Sequence, residues 1–116
     1  MRLRETVLTV LVAGAIVILT FVSPALADDD LIATGAKVFN ANCAACHMGG
    51  GNVVAANKNL KIETLKQYSM DSEAAIITQV LNGKNAMPSF KARLSENQIK
   101  AVANFVLAQS EKGWKR

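Results

Sequence analysis

Cys43-Ala44-Ala45-Cys46-His47 holds both cysteines and the single histidine of this 116-residue chain. A chain this short buries only a modest core and generally needs a staple, whether disulfides, a metal or a large cofactor. Whatever is held at residues 43–47 is therefore the centre around which the rest must fold. Three chemistries compete for it: a disulfide or redox pair, a metal site, and covalent haem attachment.

Part of the chain is not destined for that fold. Arg2 and Arg4 precede a run from Thr6 to Ala27 that carries no charge, and Pro24 interrupts it before Ala25-Leu26-Ala27. A basic start, an apolar stretch and small residues three and one positions before the cut define a secretory signal, with cleavage expected after Ala27. The competing reading is an uncleaved membrane anchor, since roughly 20 apolar residues suffice to span a bilayer. The segment is not rich in Arg and Ser as an organelle transit peptide would be, which points to bacterial export. Residues 1–27 are thus expected to be signal peptide, and 28–116 a single domain of 89 residues. Losing Arg2, Arg4 and Glu5 leaves eleven Lys and Arg against eight Asp and Glu, a mild basic excess. No nucleic-acid motif is present and the few aromatics are not interleaved with basic residues, so nucleic acid is not an expected partner.

The domain reads as all-α with long loops, without a period-two strand pattern, internal repeat or low-complexity tract. Leu31, Gly35, Val38 and Asn42 fall at helical spacing and predict a first helix over about 30–42. The Gly- and Asn-rich stretch MGGGNVVAANKN after His47 reads as a loop, and KIETLKQY as a short helix. Ser72 is placed to cap a helix over EAAIITQVLN, with Ala74, Ile77 and Leu81 as its expected apolar stripe and Gly83 as its stop. Ser95 and Gln98 form a capping box at the start of the last helix, whose stripe is Ile99, Val102 and Val106 and whose end lies at about Gly113.

Each simpler account of residues 43–47 leaves something over. A disulfide between Cys43 and Cys46 suits an exported protein but gives His47 no role. A thioredoxin-like pair belongs at a helix start within a βαβ unit, and no strands are visible. Zinc asks for four ligands where the motif offers three, so a carboxylate would have to be recruited. C-x-x-C-H, by contrast, is the attachment signature of c-type haem. Two thiols three positions apart on one turn can each add to a vinyl group of one porphyrin. The adjoining imidazole is then held under the ring as the proximal iron ligand.

The sixth ligand decides the function. A closed position leaves electron transfer, whereas an open one permits ligand sensing or peroxide chemistry. There is no second histidine, and a methionine thioether favours Fe(II) and raises the potential. Met48 adjoins His47 and is badly placed for the opposite face, while Met70 reads as adaptable core packing. Met87 lies 40 residues beyond His47 in a loop, biased to extended backbone by Pro88. It is the expected ligand, with core packing as its alternative role and Lys84 as a further candidate.

Three blocks in order, GAKVFNANCAACHMGGGN, AIITQVLNGKNAMPSF and RLSENQIKAVANFVLAQ, resemble the cytochromes c6, and the likeness covers nearly all of residues 28–116. The resemblance implies a small class I cytochrome c fold of about four helices around one haem c, with Cys43, Cys46, His47 and Met87 as the cofactor-binding residues. It implies that the first and last helices cross, with Gly35, Phe39 and Phe105 at the contact, Gly35 allowing close approach for want of a Cβ. It also singles out a glutamine placed like Gln79, near the haem and tuning its potential; a solvated helix position is the alternative. The implied function is that of a soluble, monomeric one-electron carrier, not an enzyme. Its donor would be the cytochrome b6-f complex through cytochrome f and its acceptor photosystem I, with a terminal oxidase as a further acceptor. The implied location is the thylakoid lumen, with the periplasm as a second.

Lys84, Lys91 and Arg93 bracket the Met87 loop and are candidates for steering the protein towards acidic partners. Individually weak, solvated charges are the alternative. Two rival functions stay open at this point: a haem-based sensor or weak peroxidase with a labile sixth ligand, and a carrier tethered by an uncleaved N-terminal segment.

Overall fold

The structure, a computed structural model, describes residues 14–20 and 24–116. The expected signal segment therefore lies largely outside the described residues; its portion 14–20 is exposed and without regular structure. No helix among the described residues is long and apolar enough to cross a membrane.

The described residues from Pro24 onward fold into helices joined by loops. Helix α1 spans Pro24–Asn42, α2 is the single turn Ala44–His47, and a 3-10 turn follows over Met48–Gly50. After a loop come α3 (Ile62–Gln67), α4 (Glu73–Asn82) and α5 (Glu96–Glu111). The extended backbone pairing among the described residues is an isolated antiparallel bridge between Lys84 and Met87.

α1 begins six residues before the expected position. Proline's fixed φ is compatible with a helical first turn, and Ala25-Leu26-Ala27 are strong helix formers that carry it into the predicted segment. α1 and α5 then cross at Gly35, as expected. A Cβ there would lie 2.7 Å from both the Ala101 carbonyl carbon and Phe105 Cβ, so no larger residue lets the backbones approach this closely. One turn on, the Phe39 and Phe105 rings meet with centroids 5.2 Å apart at 49°, within the range favoured by aromatic pairs.

α5 is the keel of the core, burying Ile99, Ala101, Val102, Ala103, Phe105 and Val106. Its start is the predicted capping box: Gln98 N–H donates to Ser95 Oγ at 3.2 Å, and Ser95 N–H donates to Gln98 Oε1 at 2.9 Å. Its end closes around Gly113, whose φ of 68° is left-handed. There the Trp114 N–H donates to the Gln109 carbonyl at 2.9 Å and the Gly113 N–H to that of Ser110 at 3.2 Å, the paired bonds of a Schellman closure.

α4 is capped by Ser72 as predicted, its hydroxyl accepting from Ala75 N–H at 3.2 Å. The predicted inward stripe needs correction. Ile76 and Val80 are buried, whereas Ile77 and Leu81 are half-buried and Ala74 is exposed. The sequence of α4 is apolar around most of its circumference, so periodicity identifies the helix without choosing a stripe. Ile76 and Val80, one turn apart, are the pair that joins the core with Ile99 and Val102.

Candidate haem-binding site

The C-x-x-C-H segment continues α1 almost without a break. Cys43 N–H donates to the Phe39 carbonyl at 2.8 Å, and the N–H groups of Cys46 and His47 both turn back to the Cys43 carbonyl, at 3.2 and 2.9 Å. That single turn makes Cys43 and Cys46 neighbours on one side of the helix. Both thiols are free, Cys43 half-buried and Cys46 exposed. Burial, and then the adjacent Cys46, push the Cys43 thiol up to about 11. A redox-active pair needs the opposite shift, towards the thiolate. The zinc alternative fares no better: among the described residues no group of three or more His, Cys, Asp or Glu side chains is arranged to hold an ion.

His47 is held by its ring as well as its backbone. Its Nδ1 lies 2.8 Å from the Gly51 carbonyl oxygen. A carbonyl only accepts, so Nδ1 donates in this bond, which in the neutral imidazole leaves the lone pair on Nε2. A hydrogen bond of this kind orients a metal-ligating histidine and raises its basicity. The chain reaches Gly51 through Gly49 and Gly50, both left-handed at φ of 63° and 80°. The loop is then closed by a 3.0 Å bond from Val53 N–H to the Cys46 carbonyl.

Met87 sits in a loop pinned from both sides. Lys84 N–H donates to the Met87 carbonyl at 3.0 Å and Met87 N–H to the Lys84 carbonyl at 2.9 Å, a tight turn with Asn85 at φ 53°. Beyond Pro88, the Ser89 hydroxyl donates to the Leu81 carbonyl and Phe90 N–H to the Val80 carbonyl at 2.9 Å. The loop is thereby stitched to the last turn of α4. Gly83, left-handed at φ 69°, lets the two backbones touch.

The predicted residues come together in part. Met87 and Cys43 both pack against the one core cluster. Gln79 is not simply a solvated helix residue: its Nε2 lies 3.9 Å from Met87 Sδ, a weak amide-to-sulfur hydrogen bond. An open hollow of about 440 Å³ is lined by Met70, Ala75, Thr78, Gln79 and Gly83, among others. Met48 is exposed, and Met70 packs partly against the core as expected. Lys84, Lys91 and Arg93 are all exposed, the Arg93 guanidinium lying 5.7 Å from the Phe90 ring centroid. Two thiols on one turn, an imidazole anchored through Nδ1, and a thioether bordering the same core form a donor set that fits haem c.

Sequence reasoning missed Gly51 as the acceptor for His47 and gave no place to Trp114, whose indole lies against Gly50. The signal for the second was present: it is the sole tryptophan, one residue beyond the helix-ending Gly113, where a Schellman motif places its apolar contact.

Comparison with known proteins agrees with this geometry. The family model described as cytochrome C oxidase, cbb3-type, subunit III matches residues 30–106. A cytochrome c6 from a Synechococcus strain is 60% identical over 111 residues, covering 95% of this chain and 97% of that protein. The cytochrome c6 of Parathermosynechococcus lividus is 65% identical over 83 residues, 72% of this chain and 95% of that protein. The solved cytochrome c6 of the diatom Phaeodactylum tricornutum is 52% identical, with a TM-score of 0.70 over 72% of this chain and 98% of that one. Likeness in sequence and fold at this level means that the chain belongs to the cytochrome c6 family, class I c-type cytochromes that bind one haem c covalently and carry electrons rather than catalyse a reaction.

Proposed function

We propose that this protein carries single electrons from the cytochrome b6-f complex to photosystem I, with Cys43 and Cys46 as the thioether residues and His47 and Met87 as the axial iron ligands. Haem c, when bound, supplies a one-electron Fe(III)/Fe(II) couple, and the protein sets its potential and docking surface. His47 offers Nε2, kept available by the bond from Nδ1–H to Gly51. Met87 offers a soft sulfur on a backbone tied to Lys84 on one side and to α4 on the other. The Gln79 amide, donating to that sulfur, draws electron density from it and so favours the reduced metal.

The observation that carries the proposal is this double tethering of Met87. A sulfur so held would close the sixth position of a bound haem, which favours electron transfer over sensing or peroxide chemistry. The exposed Lys84, Lys91 and Arg93 would give the Met87 side of the molecule a positive rim to steer it towards acidic partners. A terminal oxidase is a second acceptor of the same kind.

The export reading has support of its own. The relative from Parathermosynechococcus lividus aligns over 83 residues, 95% of its own length, close to the 89 residues that remain if residues 1–27 are removed. Cleavage after Ala27 would cut within α1 and leave Asp28, Asp29 and Asp30 in its new first turn. Negative side chains are favourable there, against the positive end of the helix dipole. The product would be a free monomer in the thylakoid lumen or periplasm, not a tethered carrier.

The test is the absorption spectrum of the purified holoprotein, oxidised and reduced, for wild type and Met87→Ala. Low-spin c-type bands, with a weak ferric sulfur-to-iron charge-transfer band that the variant loses, are expected. A high-spin wild type, or a variant that keeps the band, would remove Met87 from the coordination sphere and reopen the sensor and peroxidase readings.

A further inference from the structure

The C-terminal tryptophan and the C-x-x-C-H turn lie at opposite ends of the domain sequence, yet a short chain of contacts joins them. Trp114 Nε1–H donates to the Leu60 carbonyl at 2.9 Å. Leu60 N–H in turn donates to the Gly50 carbonyl at 2.7 Å. Gly50 is buried, and a Cβ added to it would overlap the indole of Trp114, so the ring lies flush on that backbone. The next residue, Gly51, supplies the carbonyl that accepts from His47 Nδ1 at 2.8 Å.

The indole is itself held in place. Its centroid lies 5.3 Å from that of Phe39 and 6.1 Å from that of Phe105, so both crossing helices brace it. Trp114 also has a φ of 59°, a left-handed conformation that a bulky residue rarely adopts. Such a backbone persists only where its surroundings over-determine it. Here they do so through the Schellman closure behind the ring and the Leu60 bond in front of it.

From this we infer that Trp114 is a positioning residue for His47. It presses Gly50 and braces Leu60 so that the Gly51 carbonyl is presented to Nδ1–H, and through that bond it sets the orientation and basicity of the proximal imidazole. The inference rests on His47 being an axial ligand, as proposed above. Gly50 is required for the same reason, because any side chain would displace the indole.

The experiment uses paramagnetic proton NMR and redox titration on the ferric holoprotein of wild type, Trp114→Phe, Trp114→Ala and Ser95→Ala. Trp114→Phe keeps an aromatic ring over Gly50 and removes the N–H donor. Ser95→Ala loosens the cap of α5 without touching the path to His47, and so controls for general loss of stability. Both Trp114 variants are expected to speed exchange of the His47 Nδ1 proton and the Leu60 amide at least tenfold relative to Ser95→Ala. They should also raise the midpoint potential, because a weaker bond at Nδ1 makes the imidazole a poorer donor to Fe(III). If both exchange rates and the potential match those of Ser95→Ala, Trp114 is core packing only and the inference is overturned. Unshifted His47 ring protons in the wild type would instead overturn the axial-ligand reading, and this inference with it.

Discussion

Gly83 and Met87 are in backbone contact: a Cβ on Gly83 would stand 2.6 Å from the Met87 carbonyl oxygen. The stop of α4 and the placement of the sulfur are thus one feature. Gly83→Ala meets both a left-handed φ of 69° and this collision. It is expected to cost about 1–3 kcal/mol in stability and to weaken or abolish the ferric sulfur-to-iron band. Chemical denaturation and near-infrared absorption check the two effects. A variant with wild-type stability and an intact band would show that the loop is not anchored through Gly83.

At the α1/α5 crossing the same argument acts on stability alone. Gly35→Ala forces apart helices whose atoms already fill the space of a Cβ. The expected loss is about 3 kcal/mol, or a melting temperature lower by roughly 10–20 °C for a domain of this size. The low-spin spectrum should survive below the transition, because Met87 and His47 lie on other segments. Thermal melts followed at the haem bands decide it.

The Gln79 amide at 3.9 Å from Met87 Sδ makes a claim about potential. If the Gln79 amide favours Fe(II) as proposed, Gln79→Leu removes that donor and the midpoint potential should fall. One hydrogen bond of about 1 kcal/mol corresponds to a one-electron shift on the order of 40 mV. A redox titration showing an unchanged or higher potential would return Gln79 to the role of an ordinary helix residue.

Docking can be read from salt. The double variant Lys91→Glu with Arg93→Glu should slow electron transfer to photosystem I by about tenfold at low ionic strength and flatten the dependence of rate on salt. Flash-induced oxidation kinetics measure both. A wild-type rate that is flat, or that rises with ionic strength, would exclude attractive steering by this rim.

Local chemistry was legible wherever neighbours in sequence act on one another. The Ser95–Gln98 capping box, the Ser72 cap, the stop at Gly83 and the adjacency of Cys43, Cys46 and His47 all follow from spacings of one to four residues, and the structure carries each of them. The inward face of α4 was not legible. A helix apolar on several sides has no stripe of its own, and Ile76 and Val80 were chosen by the place of α5.

By itself, then, the sequence determined that the chain is helical, where its strongest helices start and stop, and that residues 43–47 are built to hold a haem. It did so because caps, turns and attachment motifs are short-range chemistry. Only the tertiary structure decided that the Gln79 amide meets the Met87 sulfur, that Gly51 accepts from His47, and that Trp114 closes over Gly50. Those pairings depend on how α1 and α5 cross and on how two loops fold back onto them. No periodicity along the chain encodes which residues a folded loop sets side by side.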